Sequence, residues 1–323
     1  MGLARFYQSL RRIHAPSLRP AILPPTSIKD IPLPATSLPN IEIRPATPQD
    51  IPVCADICFR AFSAINAAHN FPSDVPVPEV AHSIISACLS APDFYCVVAE
   101  SSGRLLGSNC LDMRSIIHGV GPITVDPDIQ NQGVGRRLMQ GVLGHSQNHG
   151  AVGVRLVQAA FHNRSLSLYA SLGFDVREPI AVMQGRSRER NIPGCTVRPA
   201  TLSDLAGCNA LSHRVQGFDR GTELVQAVQG GGSLVVERDG RITAYASHLA
   251  FFGHATAESN ADLQALITSV ESFGGPGILV PTRNAELFRW CLSNGLRVIE
   301  PMNLMSMGLY NAPAGAFLPS VLF

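Results

Sequence analysis

The chain has 323 residues, of which 46% are hydrophobic and 15% charged, and its formal net charge is +1. This charged fraction is well below the roughly 25% typical of soluble proteins, which indicates large buried cores or extensive contacts between domains. A near-neutral chain without a long basic run lacks the field that attracts nucleic acid. No apolar stretch reaches the ~18–20 residues of a membrane span. We therefore expect neither a nucleic-acid partner nor a membrane partner.

The first 40 residues differ in composition from the rest of the chain. They are rich in proline, contain several arginines, and have no acidic residue before Asp30. Two interpretations stay open: a mitochondrial-type transit peptide, or a flexible leader that packs nowhere. We expect a cytoplasmic protein, or one of the mitochondrial matrix if residues 1–40 are a targeting segment.

The eight cysteines form no CxxC pair. Structural zinc sites use closely spaced cysteine and histidine pairs, which this sequence lacks. The pattern therefore predicts reduced core thiols in an intracellular protein, and no metal site.

From Ile41 onward the pattern becomes globular. A short strand precedes a helix, for which Thr47 is a plausible N-cap with Asp50 at the third helical position. Residues 66–78, rich in Asn, His and Pro, predict a loop. The predicted elements are a strand over Ile41–Pro45, a helix over Ala46–Phe62, a helix over Glu79–Leu89, a hairpin of Tyr95–Glu100 with Arg104–Met113, and a strand over Val120–Val125.

The segment Ile123–Leu138, ITVDPDIQNQGVGRRL, organises the first half of the chain. An apolar β-branched run leads into a glycine-spaced turn and then into a helical pattern. The first N–H groups of a helix lack intrahelical partners, and glycines let the backbone approach a ligand closely, so this arrangement predicts a phosphate site. The segment lacks the Gly-Lys-Ser/Thr ending of a P-loop. It also has Leu138 where the dinucleotide fingerprint needs a third glycine.

Two motifs in this region match a known family. Gln130, Gly133 and Gly135 fit a Gln-x-x-Gly-x-Gly pattern after a strand, and a second apolar run, Val154–Phe161, leads to NRSLSLYASLGF. The four matching positions of that second motif are Asn163, Tyr169, Gly173 and Phe174. Over roughly residues 41–185 the sequence resembles the GNAT superfamily of acyl-CoA-dependent N-acyltransferases, in its motifs A and B.

The resemblance implies a cofactor site and one catalytic residue. In the family, two strands splay apart so that the pantetheine arm of acetyl-CoA can pair with exposed backbone, and the tyrosine protonates the departing CoA thiolate, here Tyr169. Arg136 should contact phosphate, whereas Arg137 is expected to be a solvated charge. The residues that the resemblance places at the cofactor are Ile123, Thr124, Val125, Gln130, Asn131, Gln132, Gly133, Val134, Gly135, Arg136 and Asn163.

The general base stays open at this point. An acceptor amine has a pKa near 10, so a group must remove its proton directly or through water. Four residues could face the cleft, namely Glu100, Asp112, His118 and Asp126, and a water chain without a single base is the remaining alternative.

The second half of the chain repeats the first. A polar stretch, residues 186–195, predicts a linker, after which TVRPATLSDLAGC (Thr196–Cys208) matches EIRPATPQDIPVC (Glu42–Cys54) at a constant offset. No Gln-x-x-Gly-x-Gly turn follows in the corresponding place, and Trp290-Cys291 replaces the tyrosine. We interpret residues 196–323 as a degenerate GNAT-like domain. The closing FLPSVLF predicts a docked strand or strap.

The sequence thus predicts an α/β fold of two tandem GNAT-like domains, each a mixed twisted β-sheet flanked by helices. The predicted organisation is an extension over 1–40, an acetyl-CoA-binding domain over 41–185, a linker over 186–195 and a degenerate domain over 196–323. The predicted function is transfer of an acetyl group from acetyl-CoA to a primary amine, of a small molecule, by direct attack in a ternary complex. A CoA-binding sensor or scaffold and a protein or peptide N-acyltransferase are the alternatives, and a homodimer stays open.

Overall fold

A computed structural model describes residues 40–188 and 191–322, which all belong to one compact unit. The predicted extension over residues 1–40 lies outside the described residues, apart from its last position. The elements of the first half are β1 (Glu42–Pro45), a 3-10 turn (Pro48–Asp50), α1 (Ile51–Ala68), α2 (Pro78–Ser90), β2 (Phe94–Ser101), β3 (Arg104–Asp112), β4 (Ile117–Val125), a 3-10 turn (Pro127–Ile129), α3 (Val134–Asn148), β5 (Gly153–Ala159), α4 (Asn163–Ser171) and β6 (Asp175–Gln184).

The second half runs through the same kinds of element in the same order. They are β7 (Thr196–Pro199), a 3-10 turn (Leu202–Asp204), α5 (Leu205–Gln216), α6 (Gly221–Gln229), β8 (Leu234–Arg238), β9 (Arg241–Ala246), β10 (Ala255–Ala257), α7 (Asn260–Thr268), β11 (Ile278–Pro281), α8 (Ala285–Ser293) and β12 (Arg297–Gly308), followed by β13 (Ala316–Leu318).

The repeated Arg-Pro-Ala-Thr sequence builds the same clasp in both halves. In the first, the Arg44 guanidinium donates to both Asp50 carboxylate oxygens at 2.9 Å, and the Thr47 N–H and hydroxyl donate to Asp50 as a capping box. In the second, Arg198 donates to both oxygens of Asp204 at 2.8 Å. Each clasp ties the first strand of its half to the start of its first helix. The duplication seen in the sequence is therefore also a duplication of contacts.

The strands form two sheets. Eight strands make one sheet in the order β1-β2-β3-β4-β5-β12-β6-β11, and five make the other in the order β13-β10-β9-β8-β7. The α/β fold class predicted from the sequence is confirmed. In detail, the parallel pairing lies in the larger sheet, between β4 and β5, and every pairing of the smaller sheet is antiparallel.

The two halves exchange their last long strands. β12, from the second half, lies between β5 and β6 of the first half and pairs antiparallel with both along most of its length. β6 in turn pairs with β11 of the second half. Leu304 and Met305 of β12 are buried in two different apolar clusters, and each contributes about 1.5–3 kcal/mol by burial. The linker over residues 186–195 therefore separates two sequence repeats but does not separate two sheets.

β13 lies in the second half at the position where β10 and β11 would otherwise leave a gap. It pairs antiparallel with β10 from Ala255↔Leu318 to Ala257↔Ala316. Phe317 packs into the apolar cluster that contains Leu279 of β11. The closing segment is thus a strand, as predicted, and the chain fills this gap with its own backbone.

One described helix, Pro48–Ala68, is long and apolar enough to cross a membrane by length and composition, with a mean hydropathy of 1.3. The sequence has no unbroken apolar run of that length, because Asp50, Asp56 and Arg60 interrupt this stretch. In this fold the helix packs through Cys54 and Cys58 against β2 and α2. A helix in a protein core can be as long and as apolar as a membrane span, so length and composition alone do not make this helix one.

Two cysteines depart from the expectation of reduced thiols. Cys96 and Cys110 are directly opposite each other on β2 and β3 and are joined as a disulfide. The sequence spacing could not reveal this pair, because the register of the hairpin brings the two residues together. The cysteines that stay free in the described chain are buried apart from Cys195, which is half-buried.

The strand exchange predicts that the first half cannot fold alone. We expect a fragment of residues 40–185 to show no cooperative thermal transition, because β5 and β6 lack the strand that lies between them. The matched control is a longer fragment in which Gln184 is joined to Arg297 by an Asn-Gly turn and the chain ends at Gly308. This fragment contains β12 as a hairpin partner of β6, because Gln184 and Arg297 are paired neighbours. Thermal unfolding of both fragments is monitored by near-UV circular dichroism. A cooperative transition in the fragment that lacks β12 would contradict this account.

The first-half clasp predicts a pH-dependent contribution to stability. Hydrogen bonds from Arg44 hold the pKa of Asp50 at about 2, although burial opposes the shift. A depressed pKa stabilises the fold above the unfolded pKa of about 4 and loses that contribution as pH falls toward 2. We expect Asp50→Asn to lower the free energy of unfolding by about 2 kcal/mol at pH 7, with a difference from the unmodified chain that shrinks below pH 4. Urea unfolding at several pH values measures this, with exposed Asp239→Asn as the control.

Candidate active site

The site begins where β4 separates from β5. β4 pairs with β3 as far as Val125, but it pairs with β5 only at Ile117, His118 and Gly119. Pro122 lies in the separated part of β4 and has no N–H to continue a ladder. The edge of β4 over residues 120–125 therefore has no strand partner on the side of β5, which leaves a V-shaped opening in the sheet.

A tight turn then delivers the start of a helix to this opening. Asn131 and Gly133 have φ angles of 67° and 81°, and α3 begins at the next residue, Val134. The Arg137 N–H donates to the carbonyl of Gly133, so the preceding helical N–H groups have no intrahelical acceptor. A Cβ at Gly133 would meet no atom within 4 Å, so glycine is favoured here by the left-handed backbone and not by crowding. The open space beside Gly133 faces the cleft. The positive end of α3 is thus presented to an anion.

The opening and the turn form one cleft of about 320 Å³. All of the predicted cofactor residues except Gln132 and Asn163 line it, namely Ile123, Thr124, Val125, Gln130, Asn131, Gly133, Val134, Gly135 and Arg136. Asn163 is exposed at the start of α4, where its neighbours His162 and Arg164 line the cleft instead. The Gln132 side-chain oxygen is buried in the turn and meets no hydrogen-bond donor among the described residues.

The cleft is electropositive. Arg136 and Arg164 both line it, and the described lining contains no carboxylate. Arg136 donates to the Ser171 hydroxyl at 2.7 Å, which holds the guanidinium beside α4. Arg164 was not singled out in the sequence, although it directly follows the asparagine of motif B. Arg137 is not merely solvated, because it donates to the Ile41 carbonyl at 2.9 Å and fastens the chain before β1.

Tyr169 lies on α4 at the inner end of the cleft. Its side chain is 6% exposed, and its hydroxyl forms no hydrogen bond with another described residue. Burial raises the pKa of this phenol well above its ordinary value. The hydroxyl therefore stays protonated at physiological pH, as a proton donor requires.

None of the four base candidates lines the cleft, because other groups hold each of them. Glu100 accepts from Arg44 at 3.0 Å, and Asp112 is held by both nitrogens of the Arg114 fork. These two carboxylates are structural.

The other two candidates are equally engaged. Asp126 is buried, and hydrogen bonds from Arg60 and Arg104 lower its pKa to about 2 against the effect of burial. The ring of His118 is within 2.9 Å of the Ser146 hydroxyl inside the core, and burial lowers its pKa. All four candidates are therefore engaged by other groups, and the water chain is the alternative from the sequence that needs none of them.

A second cavity of about 160 Å³ adjoins the cleft. The two spaces share Tyr169, Ile123, His162 and Ser165 in their walls. The second cavity is largely apolar, and both halves of the chain build it. The second half contributes Phe251, Phe252, Met302, Val321 and Leu322.

The polar groups of this second cavity were not predicted from the sequence. They include Asn66 and Asp74, together with Gln158, His162 and Ser165. Burial, reinforced by Arg164, lowers the pKa of His162 to about 4, so its imidazole is neutral. No group of three or more His, Cys, Asp or Glu residues in the described part of the chain is arranged to hold a metal ion.

Comparison with known proteins now identifies the region that holds the cleft. Residues 62–174 match the family model described as Acetyltransferase (GNAT) family. The chain carries a GNAT acetyltransferase domain. Members of this family transfer an acyl group from acyl-CoA to an amine, so the chain is an acyltransferase that uses an acyl-CoA. No curated protein sequence matches the chain.

Solved structures extend the similarity across both halves. A Pyrococcus horikoshii protein has a TM-score of 0.61 and 17% identity, with 85% of this chain and 94% of that chain covered. A GCN5-related N-acetyltransferase from Sphaerobacter thermophilus has a TM-score of 0.56 and 17% identity, covering 85% and 98%. A tandem GNAT protein from the clavulanic acid biosynthesis pathway has a TM-score of 0.50 and 14% identity, covering 87% and 100%. These similarities establish the tandem GNAT fold.

Proposed function

We propose that this GNAT protein transfers an acetyl group from acetyl-CoA to the primary amine of a small molecule, by direct attack in a ternary complex. The observation that carries the proposal is the pair of adjoining cavities that share Tyr169. One is an electropositive cleft at a helix start, and the other is a small apolar chamber. A thioester placed at their junction would be open to an amine from the chamber.

The cleft suits the chemistry of CoA. Its diphosphate needs N–H donors and positive charge, which the first turn of α3 supplies together with Arg136 and Arg164. Its pantetheine arm carries amides that can pair with a free strand edge, as residues 120–125 offer. A backbone amide aimed at the developing oxyanion stabilises the transition state by about 2.7–4 kcal/mol.

Tyr169 is proposed as the general acid. As the amine nitrogen bonds to the acetyl carbon, the carbon–sulfur bond breaks and its electron pair stays on sulfur. The Tyr169 hydroxyl then gives its proton to the thiolate. The nitrogen loses one proton as the amide forms, and that proton returns through water to the phenolate, which restores Tyr169. Because burial keeps the phenol protonated, the proton is available throughout the physiological range.

A small acceptor is favoured over a protein or peptide acceptor by the walls of the chamber. A peptide needs an open groove beside the loop between α1 and α2. In this protein Phe251 and Phe252, together with Val321 and Leu322 of the closing segment, form a wall of the chamber on that side. The Val321 N–H donates to the Phe251 carbonyl at 2.9 Å, which holds the two covering segments together.

The cofactor site predicts a specific ligand response. Acetyl-CoA or CoA at a hundred times its Kd should stabilise the protein by about 2.7 kcal/mol, whereas NAD and ATP should produce no thermal shift. Gly133→Glu should abolish the shift, because it places a carboxylate and a strained backbone at the anion site. Gly240→Glu is the matched control, since Gly240 also has a positive φ, of 74°, and open space beside it. An equal shift with both variants would contradict the assignment of the cleft to CoA.

The acid role predicts a kinetic effect without a structural one. Tyr169→Phe should lower kcat by about 10²–10⁴-fold and leave the KM for acetyl-CoA unchanged. The melting temperature should hardly change, because the hydroxyl has no hydrogen bond to lose. Thiol release from acetyl-CoA measures the rate, with Tyr95→Phe as the control for loss of a phenol outside the cavities. Full activity of Tyr169→Phe would favour a different proton donor.

A further inference from the structure

Two carboxyl groups meet at the wall of the small chamber. Asp74, on the loop between α1 and α2, lines the chamber, and its carboxyl group neighbours that of Glu300 on β12. Glu300 is fully buried, and neither of its oxygens meets an N–H or hydroxyl donor in the described part of the chain. The pair joins the first half of the sequence to the exchanged strand.

The loop holds Asp74 in a fixed place. Asn66, at 2% exposure, donates to the Pro72 carbonyl at 2.9 Å. The ring of Phe71 stacks on Phe161 with 4.2 Å between centroids, which ties the loop to the turn before α4. Asp74 is therefore presented by a tethered loop.

Two neighbouring carboxyl groups, of which Glu300 is fully buried and Asp74 half-buried, cannot both be ionised at moderate cost. Burial, with the neighbouring Asp74, raises the pKa of Glu300 well above its ordinary value. Burial also raises the pKa of Asp74, whereas the interaction with Glu300 lowers it, so Glu300 is the group of the pair that keeps the proton. The consistent state is a protonated Glu300 that donates to an Asp74 carboxylate, with one negative charge for the pair. A single charge of this kind is destabilising unless a cation compensates it.

No described residue supplies that cation. Neither carboxyl group takes part in an ion pair with a described arginine or histidine, and no arginine lies in the described lining of the chamber. The histidine that lines the chamber, His162, is neutral because burial and Arg164 lower its pKa. The open side of the pair is the chamber itself, so the missing cation would come from a ligand there.

We propose that the Asp74–Glu300 pair binds the ammonium group of the acceptor, and that the acceptor is a small primary amine with an apolar body. The inference rests on the proposed function and names its substrate class. Asp74 contacts the ammonium group and then takes its proton: one N–H bond breaks, the proton goes to a carboxylate oxygen, and the electron pair remains on nitrogen for attack. Glu300 is a positioning residue that holds Asp74 by donating a hydrogen bond.

The binding test uses the full chain and needs no turnover. Isothermal titration compares primary amines from n-butylamine to 2-phenylethylamine with the matching alcohols, which have similar shapes but no charge. We expect at least one amine to bind more tightly than its alcohol. Asp74→Asn should weaken that amine by roughly tenfold to a hundredfold and leave the alcohol unchanged. Equal amine binding by the unmodified chain and Asp74→Asn, or no preference for any amine over its alcohol, would overturn the proposal.

A second pair of variants separates positioning from mere structure. Glu300→Gln keeps a donor toward Asp74 and should retain amine binding within a few-fold. Glu300→Leu removes the donor and should lose amine binding. The melting temperature of this variant should stay equal or rise, because a buried polar group is removed. Loss of amine binding in both variants, or in neither, would overturn the role of Glu300.

The acetyl-CoA thermal shift, measured on the same samples, tells the two proposals apart. It should be unchanged in Asp74→Asn, because Asp74 does not line the cofactor cleft. An amine-selective site in a protein that ignores acetyl-CoA would defeat the proposed function alone. A normal acetyl-CoA shift with no amine selectivity would defeat only the assignment of the carboxyl pair.

Discussion

The separation of β4 from β5 is the constraint on which the rest of the site depends. A sheet normally satisfies its backbone groups between neighbouring strands, and here one strand edge is left free over residues 120–125. That free edge, the helix start beside it and the phenol of Tyr169 are all arranged around the same opening. In the second half, the corresponding gap receives β13, so the same architecture is closed by the chain's own backbone. One gap is left for a ligand, and the other is part of the core.

Local sequence was enough to predict most of the residues that line the cleft at the start of α3. Gly133 needs a left-handed backbone at a helix start, and such a requirement is written into a few adjacent residues. The burial of Tyr169 follows from the apolar positions around it on a short helix. The Thr47 and Asp50 capping box was likewise visible, because its spacing is a property of a single turn.

The second cavity could not be predicted in this way, because it is assembled from segments distant in sequence. Nothing in the residues around Glu300 indicates that β12 lies between strands of the first half. Glu300 neighbours Asp74 only because β12 takes that position. The sequence could not choose among the base candidates for the related reason that the partners of a carboxylate decide its role. Asp126 resembled a strand-end acid in the sequence, but two arginines from separate elements hold it. Side chains that depend on tertiary neighbours need the fold before they can be interpreted.

The strand exchange also has a consequence for the history of the chain. Once β6 and β12 had changed places, neither copy could be lost without removing a central strand from the larger sheet. Drift could erase the glycine turn from the second copy, because a cofactor contact is dispensable when the first copy retains one. It could not erase the Arg198–Asp204 clasp as freely, because that contact maintains the framework. The second copy thus survives as an obligatory piece of the first copy's enzyme, and selection on its sequence acts through the neighbour's active site.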